Sequence, residues 1–175
     1  DWEKVSKILG KQKQEGYWES PEDPYTPKYK ATYWQIMILG MLGLDRSDER
    51  VRKACDYIFR FQHQDGGFTS LKEEGARKEY EYVRRRMLNR GREPPSFEVW
   101  APEAVREGEM SCLTGNICSA LIRLGYAGDR RVHKALDWLV EVQNVDGGWL
   151  CPYWKAHARD RHGCFMGTIT PLDAF

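Results

Sequence analysis

Asp48-Glu-Arg-Val-Arg-Lys-Ala-Cys-Asp-Tyr-Ile-Phe-Arg-Phe-Gln-His-Gln-Asp-Gly-Gly-Phe68 recurs without a gap as Asp129-Arg-Arg-Val-His-Lys-Ala-Leu-Asp-Trp-Leu-Val-Glu-Val-Gln-Asn-Val-Asp-Gly-Gly-Trp149. A worn copy, Ile8-Leu-Gly-Lys-Gln-Lys-Gln-Glu-Gly-Tyr-Trp18, precedes both. Each copy is one supersecondary unit that buries its apolar face only by stacking on a neighbour. The expected fold is therefore an all-α array of helical hairpins.

Periodicity supplies the two helices of each unit. Val51, Ala54, Ile58 and Phe61, like Val132, Ala135, Leu139 and Val142, recur at spacings of three and four and give one apolar stripe per helix. Asp48 and Asp129 stand where N-caps belong. The helices ahead of them, Ala31 to Gly43 and Leu113 to Gly125, are more apolar and read as inner helices, with the striped ones outer. Both pass through Leu-Gly, at 42 to 43 and 124 to 125, where glycine closes a helix in a left-handed turn. Alternating inner and outer helices predict a curved solenoid or toroid of about three pairs. Residues 1 to 175 form one domain in this reading, with a charged insertion at 69 to 110.

Composition narrows the class. With 175 residues, 41% hydrophobic and 30% charged, the chain can bury one core and gives no case for disorder. No apolar run reaches the roughly 18 residues of a membrane span, and Asp1-Trp-Glu-Lys4 lacks a signal-peptide pattern. A net charge of +1 offers no global field for nucleic acid. Five cysteines without dense spacing fit a reducing compartment, so the expected localisation is cytoplasmic.

The boundary Gln-x-x-x-Gly-Gly-aromatic carries a resemblance. Trp138 to Trp149 resembles the Gln-Trp repeat of squalene and oxidosqualene cyclases, a motif shared more loosely with protein prenyltransferase β subunits, and Tyr57 to Phe68 is a second copy. The resemblance covers most of the chain outside about 69 to 110. It implies an α/α-toroid in which the glutamine ties an outer helix to its neighbour and the tryptophan packs over the join. It further implies an isoprenoid or other apolar substrate. The cyclases' proton donor lies in Asp-x-Asp-Asp and the diphosphate-binding motif is Asp-Asp-x-x-Asp; neither occurs here.

The remaining chemistry-bearing residues are thiols and imidazoles. Cys112, Cys151, His162 and Cys164 all fall at expected helix ends on one side of the array, and three thiolates with an imidazole form a zinc set. His157 is a spare fourth ligand. Cys55 and Cys118, on apolar registers, read instead as core. Prenyltransferase β subunits hold zinc through an aspartate, a cysteine two residues on and a later histidine; Cys112 and His162 match the last two, but Met110 occupies the aspartate position. Four protein ligands would make the metal structural, whereas a catalytic zinc keeps one position open.

Two further groups admit two readings each. Arg84, Arg85, Arg86, Arg90 and Arg92 in the insertion could grip a diphosphate through planar forks, or line a solvated helix over Lys78 to Leu88. Trp18, Tyr29, Tyr33, Trp34, Tyr153 and Trp154, near inner-helix starts, would line an apolar cavity or pack between repeats. Three pairs also fall short of a closed ring, which calls for further repeats in a longer protein or for self-association. Two functions follow as expectations. One is an isoprenoid-handling enzyme, or part of one, with zinc; the alternative is a non-catalytic binding module stapled by zinc.

Overall fold

The structure, a computed structural model, describes residues 2–70, 73–107, 109–150 and 162–175. Among them are eight α-helices and no strand: α1 Trp2–Leu9, α2 Thr32–Met41, α3 Glu49–Phe59, α4 Glu73–Leu88, α5 Phe97–Glu107, α6 Ser111–Leu121, α7 Arg130–Glu141 and α8 Phe165–Leu172. Helices α2, α6 and α8 form an inner row, in which α2 and α6 are mostly buried and α8 is buried on the face toward α6, and α3 and α7 lie behind it, each exposing one face. Nine of the eleven residues of α6 are buried, because it is flanked by α2, α7 and α8.

The caps form as the sequence predicts. Asp48 accepts from Arg50 N at 2.8 Å and Asp129 from Arg131 N at 2.9 Å, satisfying a donor that each helix start leaves open. Each aspartate also binds its arginine's guanidinium, which holds both carboxyls below their ordinary pKa range. At the other end of α2, Gly43 has φ 80° and Leu44 N donates to Leu39 O at 3.1 Å, a Schellman closure. Helix α6 continues into a π turn, Ile122–Tyr126, that breaks at Gly125.

The three repeat turns share one set of hydrogen bonds. Gln12, Gln62 and Gln143 each donate from Nε2 to the carbonyl four residues on, at Gly16 (3.1 Å), Gly66 (2.9 Å) and Gly147 (2.8 Å). The same nitrogen of Gln12 reaches Arg50 O at 2.9 Å in the start of α3, and that of Gln62 reaches Arg131 O at 2.7 Å in the start of α7. The closing aromatic is equally regular. Its main-chain N–H donates to a threonine in the following buried helix: Trp18 to Thr32, Phe68 to Thr114 and Trp149 to Thr168, at 3.0, 2.9 and 3.1 Å. The indoles of Trp18 and Trp149 reach back to Ile8 O and Leu139 O; Phe68 has no such donor and is simply buried.

These bonds orient the buried row. All three threonines lie in the first or second turn of their helices, at one end of the stack. At the other end Gly40 lies against Ala120 and Arg123, while Ser119 and Arg123 bind Asp173. Helices α2, α6 and α8 therefore run parallel. Contact is closest where Gly115 of α6 meets Thr170 and Pro171 of α8: an added Cβ would stand 2.4 Å from Pro171 N.

The insertion is a helical hairpin. Tyr80 on α4 packs on Phe97 and Trp100 of α5 at ring separations of 5.4 Å, and its hydroxyl donates to Pro95 O. Helix α4 contains the charged run expected to be helical, but α5 was not expected. Its Pro102 and flanking Pro94-Pro95 mask a helical signal that packing against α4 restores.

Replacing Gln62 by Ala removes two bonds at one join and should lower unfolding free energy by about 1–2 kcal/mol in urea titrations. Gly66→Ala should cost more. Gly66 has φ 123°, and its Cβ would fall 2.3 Å from Lys134 O.

Candidate functional site

The end of the stack where the buried helices begin collects most of the reactive side chains. Here the repeat turns alternate with the first turns of α2, α6 and α8. Cys112 lies half-buried in the first turn of α6, Cys164 is the buried N-cap residue of α8, and His162 is exposed just before it. Cys151 and the spare candidate His157 lie outside the described residues, as do Tyr153 and Trp154. Among the described residues no three of His, Cys, Asp and Glu come together as a metal-binding group. Cys112, His162 and Cys164 thus share an end of the fold without forming a ligand set by themselves.

Two acid–imidazole pairs occupy this rim, neither evident from the sequence. Glu109, just ahead of α6, is nearly buried, and its Oε1 lies 2.7 Å from His63 Nδ1 in the second repeat turn. A buried carboxylate oxygen needs a polar neighbour, and the His63 ring nitrogen stands at that place. In the third turn Asp146 Oδ2 accepts from Gly163 N at 2.6 Å and lies 3.6 Å from His162 Nδ1; Oδ1 accepts from Gly148 N and Asn144 Nδ2. The amide of Gly163, then that of Gly148 and the Asn144 side chain, hold the Asp146 carboxyl down to about 2. Asp146 thereby ties the turn to the residues leading into α8.

The core thiols and phenols are inert by contrast. Burial pushes Cys55 and Cys118 up to about 12, so both remain protonated thiols, as their apolar register implies. Tyr33, fully buried, is pushed well above its ordinary pKa and donates its hydroxyl proton to Thr69 O at 2.7 Å. Tyr33 and Trp18 are therefore packing residues between repeats, the second of their two readings.

Trp34 and Tyr29 behave differently. Trp34, Ile38 and Met41 follow one another along α2 at spacings of four and three, on a face that the neighbouring helices leave partly open; Met41 is 67% exposed. The Trp34 ring packs against Tyr29 at 4.9 Å and Tyr25 at 5.3 Å, and its indole donates to Tyr25 O. Asn116 on α6 is likewise only half-buried. The stripe has aromatic faces and aliphatic ends, with no carboxylate among the residues named.

The arginines of the insertion have acidic and aromatic partners where their contacts are described. Arg77 and Arg85 share an open cleft of about 490 Å³ with Glu81 and Tyr82. Arg77 stacks on Phe97 at 4.6 Å, and Arg84 pairs with Glu81 at 3.8 Å. A carboxylate thus stands within the cleft, which favours the solvated-helix reading over an anion grip.

No protein-family model matches this chain, and no curated protein matches it. No described helix is long and apolar enough to cross a membrane.

The threonines could have been found from sequence, because Thr32 and Thr114 each precede the leucine of Leu-Gly by ten residues. Glu109 and Asp146 gave no comparable signal. The Asp146 contacts predict that the Gly163 amide resonance titrates with an acid midpoint near 2. The sign follows from the depressed carboxyl: its stabilising contribution is complete above about pH 4, the ordinary aspartate value, and is lost as pH falls through about 2. An amide shift insensitive to pH in that range would remove the tie.

Proposed function

We propose that this chain is a section of an α/α-toroid scaffold of the squalene cyclase and prenyltransferase kind, and that the open stripe of α2 holds an isoprenoid or other apolar molecule. The observation that carries the ligand reading is the ring cluster of Trp34 on α2 with Tyr25 and Tyr29 of the loop that leads into it. Aromatic faces beside the aliphatic Ile38 and Met41 suit a branched hydrocarbon and attract positive charge. The triplicated glutamine and threonine bonds support the scaffold reading. With neither acidic motif present, this section contributes binding surface rather than the proton donor.

Farnesol titrated into the protein should quench tryptophan fluorescence saturably. Trp34→Ala should weaken the apparent affinity about tenfold, a loss of roughly 1.4 kcal/mol; the variant also loses the packing on Tyr25 and Tyr29 and the bond to Tyr25 O, so the titration is run well below its own lowered unfolding midpoint. Quenching of equal strength in the variant would refute the assignment.

Zinc at Cys112, Cys151, His162 and Cys164 is a second proposal, supported by the placement of three of the four at the starts of the adjacent helices α6 and α8. Its role would be a structural staple joining those starts. Metal analysis should give about one zinc per chain, lost in Cys112→Ser and Cys164→Ser, and chelation should lower the unfolding midpoint because ligand-bond energy is then folding energy. A protein free of zinc with an unchanged midpoint under chelation would eliminate it.

A further inference from the structure

The first two repeat turns are each covered by the start of the next outer helix, and the third has the same internal bond but, among the described residues, no helix start over it. A Cβ added to Gly16 would stand 2.4 Å from Lys53 O, and one on Gly66 2.3 Å from Lys134 O; one on Gly147, with φ 83°, meets nothing within 4 Å. Leu9 and Phe59, three residues before their glutamines, are buried, and the Arg131 guanidinium lies 3.6 Å over the Phe59 ring. Their counterpart Val140 is 58% exposed. Helix α8 repeats the contrast. Counted from the shared threonine, Phe165, Ile169 and Leu172 occupy the positions of Ser111, Gly115 and Cys118 in α6, yet they are 78%, 46% and 56% exposed where those three are buried.

We propose that the Gln143–Gly147 turn, the flank of α7 and the exposed row of α8 form a docking surface for one further helical hairpin of this same repeat type. The two completed joins specify the occupant. Its outer helix opens with an aspartate N-cap; the carbonyl two residues on accepts from Gln143 Nε2, and the carbonyl five residues on lies against Gly147, as at Arg50 and Lys53 and at Arg131 and Lys134. An arginine at the first of these positions extends over Val140. Its inner helix presents small residues to Phe165, Ile169 and Leu172, as α6 presents Gly115 to α8. In a second copy of this chain the α3 and α7 carbonyls at these positions already accept from Gln12 and Gln62, so neither helix is free to serve Gln143. This inference is independent of the ligand proposed above.

The experiment extends the chain. Residue Phe175 corresponds to Leu121, so a copy of residues 122–150 joined after Phe175 continues α8 in the register of α6 and places a copy of α7 on α7. In the 175-residue chain Gln143→Ala removes only the exposed bond to Gly147 O and should lower the folding constant about two- to threefold. In the extended chain it should lower it about five- to thirtyfold, as loss of a bridging hydrogen bond does. An equal effect in both chains would overturn the proposal, as would a concentration-dependent dimer of the 175-residue chain abolished by Gly147→Leu. Should the extension not fold, the same outer-helix segment, residues 122–150, added as a separate polypeptide should shift the Gln143 side-chain and Gly147 amide resonances, and not in Gly147→Leu. Unshifted resonances would equally overturn it.

Discussion

A primary amide nitrogen carries two hydrogens, and the repeat uses both. Gln62 Nε2 closes its own turn through Gly66 O and holds Arg131 O, 69 residues away, so one side chain couples a local turn to the position of the next helix. The accepting carbonyl sits in the first turn of α7, where Asp129 has already fixed the backbone by capping. Its free lone pair can serve the glutamine without cost to the helix. Such a bond contributes only about 1 kcal/mol against the larger apolar burial around it. Its weight lies in register: Arg131 O is the carbonyl that Gln62 reaches, and Lys134 O lies so close to Gly66 that a Cβ there would stand 2.3 Å from it.

The aromatic that closes each turn fixes the other helix. Its N–H binds a threonine hydroxyl in the first or second turn of α2, α6 or α8, so each turn holds an outer helix through its glutamine and an inner helix through its aromatic. Pinning the starts of all three buried helices at one end makes them parallel, and parallel helices this close need small residues where they cross. Gly40 and Gly115 provide them. The same constraint leaves one face of α2 out of the packing, and that is where Trp34, Ile38 and Met41 are found.

What was legible in the sequence is what repeats in register. Gln62 and Gln143, Asp48 and Asp129, and Leu42-Gly43 with Leu124-Gly125 recur because the backbone needs the same chemistry at each join; the caps and glycines act as expected, and Gln62 ties its neighbour while Gln143 closes its own turn. The partner threonines were harder to see, since the aromatic and its threonine are separated by 14, 46 and 19 residues. The 46-residue gap contains the α4–α5 hairpin, whose second helix is hidden by its prolines. Glu109 and His63 lie on opposite sides of that hairpin, so only the folded chain brings them to 2.7 Å. The thiols were legible in part. Cys55 and Cys118 follow the apolar period into the core, whereas Cys112 and Cys164, at helix starts, owe their positions to loops that periodicity does not describe.

The distribution of charge separates scaffold from surface. The acids of the joins and rim are engaged: Asp48 and Asp129 with arginines, Glu109 with His63, and Asp146 with Gly163 and His162. At the far end Asp173 holds Arg123 and Ser119. Each of these pairs fixes a helix start, a helix end or a turn. Protonating a hydrocarbon requires the opposite arrangement, a carboxylic acid kept dry and unpaired with a cation so that its proton is easily given up. The stripe of Trp34, Ile38 and Met41 contains no acid, and its nearest polar neighbour on α6 in register is the neutral Asn116. On the proposed reading such a surface offers ring faces and aliphatic contact to an apolar molecule and no proton donor.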